Sequence, residues 1–99
     1  MAIEIVWSAN ALQDLEKIIE YLLKFWNKKV ALEFEYKLHT KIELLALQPR
    51  SGRTSTSFDK IKSLSITKHN RLYNLMSDSN IEILGIFDTR QDPVKNIYE

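Results

Sequence analysis

Residues 12–45, LQDLEKIIEYLLKFWNKKVALEFEYKLHTKIELL, decide the fold. Leu12, Leu15, Ile18 or Ile19, Leu22 and Trp26 recur at steps of three and four residues, while Asp14, Lys17, Glu20 and Lys24 fall on the other side, which predicts an amphipathic helix. Glu20 and Lys24 stand four apart in the favourable order for an ion pair. Asn27 interrupts the pattern and can cap a second helix, in which Ala31, Phe34, Leu38, Ile42 and Leu45 keep helical spacing. That helix ends before Pro49, because the residue preceding a proline is disfavoured in the helical region. Two amphipathic helices joined by so short a turn lie antiparallel.

Working outward, Ile3, Ile5 and Trp7 alternate with Glu4 and Val6, the pattern of a short strand. Ser8 offers an oxygen to the free amides of the first helix, and Asn10, with Gln13 three residues on, is a competing cap. After Pro49, Ser51-Gly52-Arg53 opens a polar loop that runs to about Phe58. Ile61 to Thr67, Arg71 to Met76 and Ile81 to Phe87 then read as strands, the last two joined into a hairpin by Asp78-Ser79-Asn80. Ile81, Ile83, Leu84, Ile86 and Phe87 are apolar on both parities, which predicts a central strand with material on both faces. The order is β-α-α-β-β-β. This is an α+β fold: an antiparallel two-helix hairpin packed on one face of a small, mostly antiparallel sheet. No repeat, linker or low-complexity tract divides residues 1–99, which are expected to form one domain.

Composition narrows the function classes. The chain has 99 residues, 44% of them hydrophobic, enough for one core and too few for a multidomain enzyme. The lack of cysteine excludes a disulfide framework and a thiolate zinc site, and makes the cytosol the expected compartment. No metal or other cofactor is expected. The start, Met-Ala-Ile-Glu-Ile-Val-Trp, lacks a signal peptide's pattern, and no apolar run approaches the ~20 residues that span a bilayer. Neither export nor membrane contact is expected.

The net charge of +1 hides an uneven distribution. Residues 1–49 carry six lysines against seven acids. In residues 50–71, Arg50, Arg53, Lys60, Lys62, Lys68 and Arg71 face only Asp59, a local charge of +5. Residues 72–99 set Arg90 and Lys95 against Asp78, Glu82, Asp88, Asp92 and Glu99. The basic block is therefore a candidate surface for a polyanionic target, its alternative being a solvated loop.

Four segments carry a resemblance. Trp7-Ser8-Ala9-Asn10-Ala11-Leu12-Gln13-Asp14-Leu15 resembles the opening of the RelE/ParE toxin superfamily, a first strand running through Trp-Ser into a helix containing Ala and Asp-Leu. Leu47-Gln48-Pro49-Arg50-Ser51-Gly52-Arg53 resembles its Leu-x-x-Pro-x-x-Gly-Arg turn. Ile66 to Tyr73 and Ile86 to Pro93 resemble the strand signatures of one branch. The four occur in the family's order and cover nearly the whole chain. The resemblance implies a toxin of a type II toxin–antitoxin module, which inhibits growth and is neutralised by a cognate antitoxin. Its target would be DNA gyrase for a ParE-like member, or messenger RNA on the ribosome for a RelE-like one.

Cleavage of RNA by its own 2′-hydroxyl needs a base, positive charge on the phosphorane and an acid for the leaving oxygen. The resemblance places Arg71 and Arg90 at positions where RelE-like toxins keep arginines, whose forked, permanently charged guanidinium suits phosphate. Lys62 and Lys68, on the preceding strand and six apart, are expected to share a face. His69 is the side chain of the basic block suited to proton transfer near neutrality. Tyr98 is the candidate for the C-terminal tyrosine of RelE-like enzymes, although it follows Arg90 by eight residues with Pro93 between, a wider spacing than theirs. Structural alternatives stand beside these roles. Arg90 can join Asp88 and Asp92 in a carboxylate network, Lys62 and Lys68 can guard an edge strand, and His69 can be a turn residue.

The incomplete acid–base set and the low net charge favour a ParE-like, non-nucleolytic mode, with the RelE-like nuclease second and an inert antitoxin-binding module third. Trp7 and Trp26 are expected as packing anchors, and Tyr21, Phe25 and Tyr36 as core or groove residues. With two helices covering one face of the sheet, apolar surface of the last strand should stay exposed for an antitoxin segment, acidic where it meets residues 50–71.

Overall fold

The computed structural model describes residues 3–99. Its elements are β1 (Glu4–Trp7), α1 (Ala9–Phe25), α2 (Lys28–Leu47), β2 (Arg53–Thr54), β3 (Ile61–Ser65), β4 (Asn70–Met76), β5 (Asn80–Asp88) and a 3₁₀ turn, Pro93–Lys95. The helix hairpin and the three later strands lie where the sequence pattern puts them. Both helix starts are capped: Ser8 Oγ accepts the Ala11 amide at 3.0 Å, and Asn27 Oδ1 accepts the Val30 amide at 2.9 Å. Each cap is worth about 1 kcal/mol. Ser8 thus takes the capping role, and Asn10 is freed for another. No helix among the described residues is long and apolar enough to cross a membrane.

The five strands form one sheet in the order β1-β5-β4-β3-β2. β1 pairs parallel with β5, and every other neighbour is antiparallel. The helices cover one face, where Ala11, Phe34, Leu38 and Leu45 pack against Leu64, Ile66, Leu72, Ile81, Ile83 and Ile86. Leu12, expected on the packing face of α1, is half-exposed, and Ala11 is the fully buried residue of that turn.

A β-bulge refines the reading of β5. Tyr73 pairs with Gly85 and Asn74 with Ile83, leaving Leu84 as an extra residue. The insertion reverses the parity of everything after it. Ile81 and Ile83 before the bulge and Ile86 after it therefore face the same helices, and Gly85 and Phe87 turn to the outer face. The apolar residues on both parities therefore mark a phase shift in the helix-facing row, while β5 is, as expected, an inner strand with material on both faces, Tyr98 covering Gly85 on the outer one.

Exposed apolar side chains lie on the helices and their junction, and outside them chiefly at Phe58, Val94 and Ile97. Phe25, Trp26, Leu32, Tyr36 and Leu47 are each more than half exposed, so Trp26 is not a packing anchor and Phe25 is not a core residue, while Tyr36 takes the second of its two expected places, the groove. Trp7 does pack against the core.

Candidate functional site

The outer face of the sheet is organised by the row Arg53, Ser63, Tyr73 and Gly85, which are register partners across β2, β3, β4 and β5. The next row sets Ser65, Arg71 and Phe87 side by side. The tail folds back over these rows. Asp92 Oδ1 caps the 3₁₀ turn by accepting the Val94 amide at 3.0 Å, with Pro93 at the turn's start. The turn aims the chain across the sheet. Tyr98 then stacks on Tyr73 with ring centroids 4.8 Å apart and planes 20° apart.

The tail is held by polar contacts as well. Asn96 Nδ2 donates to the Tyr73 hydroxyl at 3.0 Å, and that hydroxyl donates to Glu99 Oε2 at 2.8 Å. Ser55 Oγ donates to the Tyr98 carbonyl, and the Thr56 amide donates to Glu99 Oε1 at 3.0 Å. Between tail and sheet lies an open pocket of about 460 Å³, its wall including Arg53, Thr56, Arg71, Tyr73, Phe87 and Glu99.

Arg71 is half-buried in this pocket, and its Nε donates to Ser63 Oγ at 2.7 Å. Burial and then the like charge of Arg53 lower its pKa from the ordinary value, with Glu99 opposing. It nevertheless remains a cation, because the guanidinium starts so far above neutrality. Arg53, on the edge strand, places Nη2 3.5 Å from Glu99 Oε2. Burial raises the Glu99 pKa, but the Thr56 amide, the Tyr73 hydroxyl and Arg53 outweigh it and hold the carboxyl below its usual value.

The other sequence candidates do not converge here. Arg90 lies beyond β5 and forks onto Asp88, Nε to Oδ1 at 3.0 Å and Nη2 to Oδ2 at 2.8 Å. The hydrogen bond from Arg90 is the leading reason why the Asp88 carboxyl titrates below its usual range. Asp92 takes no part in that pair, its carboxylate being spent on the 3₁₀ turn. Arg90 and Asp88 border a second pocket, about 440 Å³, shared with Asp14, Lys17, Ile18 and Tyr21 of α1. His69 sits in the β3–β4 turn, its carbonyl accepting the Thr89 amide at 2.8 Å.

Tyr98 points away from the arginines. Its hydroxyl donates to the Leu84 carbonyl at 3.2 Å and accepts from Asn10 Nδ2 at 3.0 Å. Burial, reinforced by the Asp14 charge, pushes its pKa above the ordinary value. A phenol so tied is poorly placed to donate a proton to a leaving group. The Tyr98 hydroxyl is thus committed to Leu84 and Asn10, His69 lies beside the Asp88–Arg90 pair, and Arg71 and Arg90 line different pockets that meet at Gln91.

The basic block is divided as well. Lys68 lies in the exposed turn after β3, not on the strand, so it shares no strand face with Lys62. Lys62 has the parity of Leu64 and donates from Nζ to Thr54 Oγ1 at 3.1 Å. Arg50 and Lys60 are exposed in the loops flanking β2 and β3. Arg53 and Arg71 alone among the nine candidates share a pocket.

Sequence reasoning missed Asn10, Asp14 and Gly85. β1 covers the edge of β5 only as far as Ile83, and beyond it the free backbone groups are taken up by α1. Ser8 Oγ and Asn10 Nδ2 both donate to the Leu84 carbonyl, at 3.2 and 3.0 Å. Asp14 Oδ2 accepts the Ile86 amide at 2.9 Å. A Cβ on Gly85 would collide with the Tyr98 hydroxyl and approach Asp14 Oδ2 to 2.9 Å. The Asp-Leu of the helix opening was the visible signal for Asp14, and nothing in the sequence linked it to β5.

Comparison with known proteins agrees with this fold. The family model for the ParE toxin of type II toxin–antitoxin systems, parDE, matches residues 5–93. No curated protein sequence matches. Among solved structures, the chromosomal ParDE system from P. aeruginosa is similar with a TM-score of 0.73 at 15% identity, over 88% of this chain and 96% of that one. The YoeB dimer from Staphylococcus aureus gives 0.62 at 16% identity, over 88% and 97% of the two chains. The DinJ–YafQ toxin–antitoxin complex from E. coli gives 0.64 at 11% identity, over 91% and 96%. At such identities these structures speak to the fold, and the family match carries the assignment: this chain belongs to the ParE toxin family, within the RelE/ParE superfamily of type II toxin–antitoxin toxins.

Proposed function

We propose that this toxin acts in the ParE-like mode, inhibiting growth by poisoning DNA gyrase without cleaving RNA. The observation that supports this reading is that Tyr98 and Arg90 are each committed to other partners, away from Arg71. The Tyr98 hydroxyl is engaged by Leu84 and Asn10, and Arg90 is forked onto Asp88 on a different pocket from Arg71. General acid–base cleavage needs those groups within hydrogen-bond reach of one phosphate. The low net charge also disfavours a protein that must enter a densely charged ribosomal site.

Neutralisation by a cognate antitoxin is the second part of the proposal. A groove of about 620 Å³ between the helices has Trp7, Leu15, Ile19, Tyr36, Leu38 and Ile42 among its walls, and suits the apolar face of a segment that folds on binding. Beside it, Lys28, Lys29 and Lys37 line a patch with Leu32, Tyr36 and one acid, Glu33, so acidic residues on that segment would meet a net positive charge there, while Glu35 in the groove would not favour them. This reading puts the antitoxin on the helices, whereas the sequence pattern points to apolar surface of the last strand, with the antitoxin's acidic residues against 50–71.

The test is direct. Purified protein added to gyrase should inhibit supercoiling and accumulate cleaved DNA, while ribosome-bound messenger RNA stays intact. Codon-positioned messenger cleavage with unaffected gyrase would establish the RelE-like alternative instead. Expression without any growth defect would leave an inert antitoxin-binding module.

A further inference from the structure

The tip of the helix hairpin, Leu23-Lys24-Phe25-Trp26-Asn27-Lys28-Lys29, is exposed at every residue. Trp26 is the C-cap of α1 and Asn27 the N-cap of α2, so the turn itself is two residues long. Leu23, Phe25 and Trp26 are each more than half exposed, and Tyr21 nearly so. Residues 21–32 carry three lysines, Lys24, Lys28 and Lys29, and no acid. The aromatic and cationic groups form one block: the Tyr21 and Phe25 ring centroids lie 4.9 Å apart, and Lys24 Nζ lies 5.3 Å from the centroid of the Phe25 ring.

Shape distinguishes the kinds of partner. Two helical residues on, Phe25 stands about 200° around α1 from Leu23, so the two leave the helix on opposite sides, with Trp26 at its end. Seven consecutive exposed residues make a convex tip, not a groove. A protein partner covers apolar side chains through a complementary, closely packed surface. The headgroup region of a bilayer is fluid and closes around a tip from all sides, taking in the rings while lysine stems keep their ammonium groups among the headgroups. Tryptophan and tyrosine favour that region, and three unopposed lysines favour an anionic surface. With a net charge of +1 on the whole chain, such attraction is local to segments like this one. The lack of an apolar run long enough to span a bilayer, which sets membrane contact aside on sequence grounds, does not bear on attachment at the surface.

We propose that the hairpin tip is a peripheral docking site for an anionic lipid surface, with Phe25 and Trp26 seated in the headgroup region and Lys24, Lys28 and Lys29 drawn to the negative headgroups. Attachment of this kind is reversible, and it withdraws toxin from the aqueous pool according to the anionic lipid present. It does not depend on which target the toxin poisons. Lys28 and Lys29 also border the patch proposed for the antitoxin, so the test uses the toxin alone.

The full wild-type chain is sedimented with vesicles of phosphatidylcholine alone and with vesicles of equal parts phosphatidylcholine and phosphatidylglycerol. Partitioning should be stronger on the anionic vesicles by about tenfold or more, and should weaken as salt is raised. Replacing Lys24, Lys28 and Lys29 together by glutamine should remove that preference, and Phe25→Ala with Trp26→Ala should lower partitioning on both vesicles. In a Trp7→Phe chain, where Trp26 is the one remaining tryptophan, emission should move to shorter wavelength on the anionic vesicles. The proposal is overturned if the wild type fails to sediment with anionic vesicles or sediments equally with both kinds. It is overturned as well if the protein sediments while Trp26 emission stays still, which would place attachment elsewhere, for instance at the basic segment 50–71. An emission shift that follows protein concentration without lipid would show a second copy covering the tip, and would equally refute it.

Discussion

The Asp14 carboxylate, on the second turn of α1, accepts the backbone amide of Ile86 at 2.9 Å across a separation of 72 residues. The contact exists because β1 is too short to pair with all of β5, and it substitutes a helix side chain for the missing strand. A hydrogen bond to an ionised acceptor contributes roughly 1.5–3 kcal/mol, and an amide left unpaired costs a similar amount. Asp14→Ala should therefore lower stability by about 2 kcal/mol in denaturant titration. The Ile86 amide should exchange faster with solvent, and an unchanged exchange rate would contradict this account.

Gly85 and Tyr98 are expected to be coupled. Gly85→Ala places a methyl where the Tyr98 hydroxyl and Asp14 Oδ2 sit, so it should destabilise by roughly 1–3 kcal/mol, the usual range for overpacking. In a Tyr98→Ala background the same change meets only Asp14, and its cost should shrink. A double-mutant cycle should return about 1 kcal/mol of coupling, and strict additivity would argue that the tail does not occupy this place.

Asn74 is a buried liability. It is fully buried on β4, and neither its amide nitrogen nor its amide oxygen has a hydrogen-bond partner among the described residues. Polar atoms in that condition cost about 1–3 kcal/mol, so Asn74→Leu, close in shape, should raise the thermal midpoint. A loss of stability would show that the amide is satisfied in solution, for instance by bound water.

Stability should carry an acid signature from Glu99. Its folded pKa lies below the usual 4.5, so the carboxylate stabilises the fold above that value, and the contribution is lost as pH falls through the folded value. The thermal midpoints of wild type and Glu99→Gln should differ near pH 7 and converge as the pH falls through the folded value. A gap that persists in acid would assign the difference to shape rather than charge.

Arg90 offers a contrast. Its guanidinium is exposed and bonded to a neighbour two residues away, so Arg90→Ala should leave the thermal midpoint nearly unchanged. The Asp88 carboxyl should then titrate higher than in wild type, because the hydrogen bond that leads its depression is gone. A marked fall in the midpoint would instead restore the network role considered from the sequence.

What local chemistry could decide, the sequence decided. Leu15, Ile18, Leu22, Phe34, Leu38 and Leu45 sit at helical spacing, Asn27 and Pro49 bound α2, and the Asp78-Ser79-Asn80 turn joins β4 to β5. Each of these depends on residues within a few positions of one another. The arginine at position 71 was likewise legible as a candidate, since its residue type and segment carried the signal.

Tertiary structure decided what depends on distant partners. β1 lies beside β5 because a parallel neighbour must come from elsewhere in the chain. The Leu84 bulge resolved the double parity of β5 as a phase shift in the helix-facing row, which hydrophobic pattern alone does not show. Tyr98 matched a catalytic position by type, yet its hydroxyl is committed to the bulge carbonyl by the path of the tail. Glu99 looked like one more acid in a net count of +1, and it is the folded tail that sets its charge against Arg53. Composition counts charges along a chain, whereas an electrostatic site is made by their separation in space, which only the packed sheet and its tail determine.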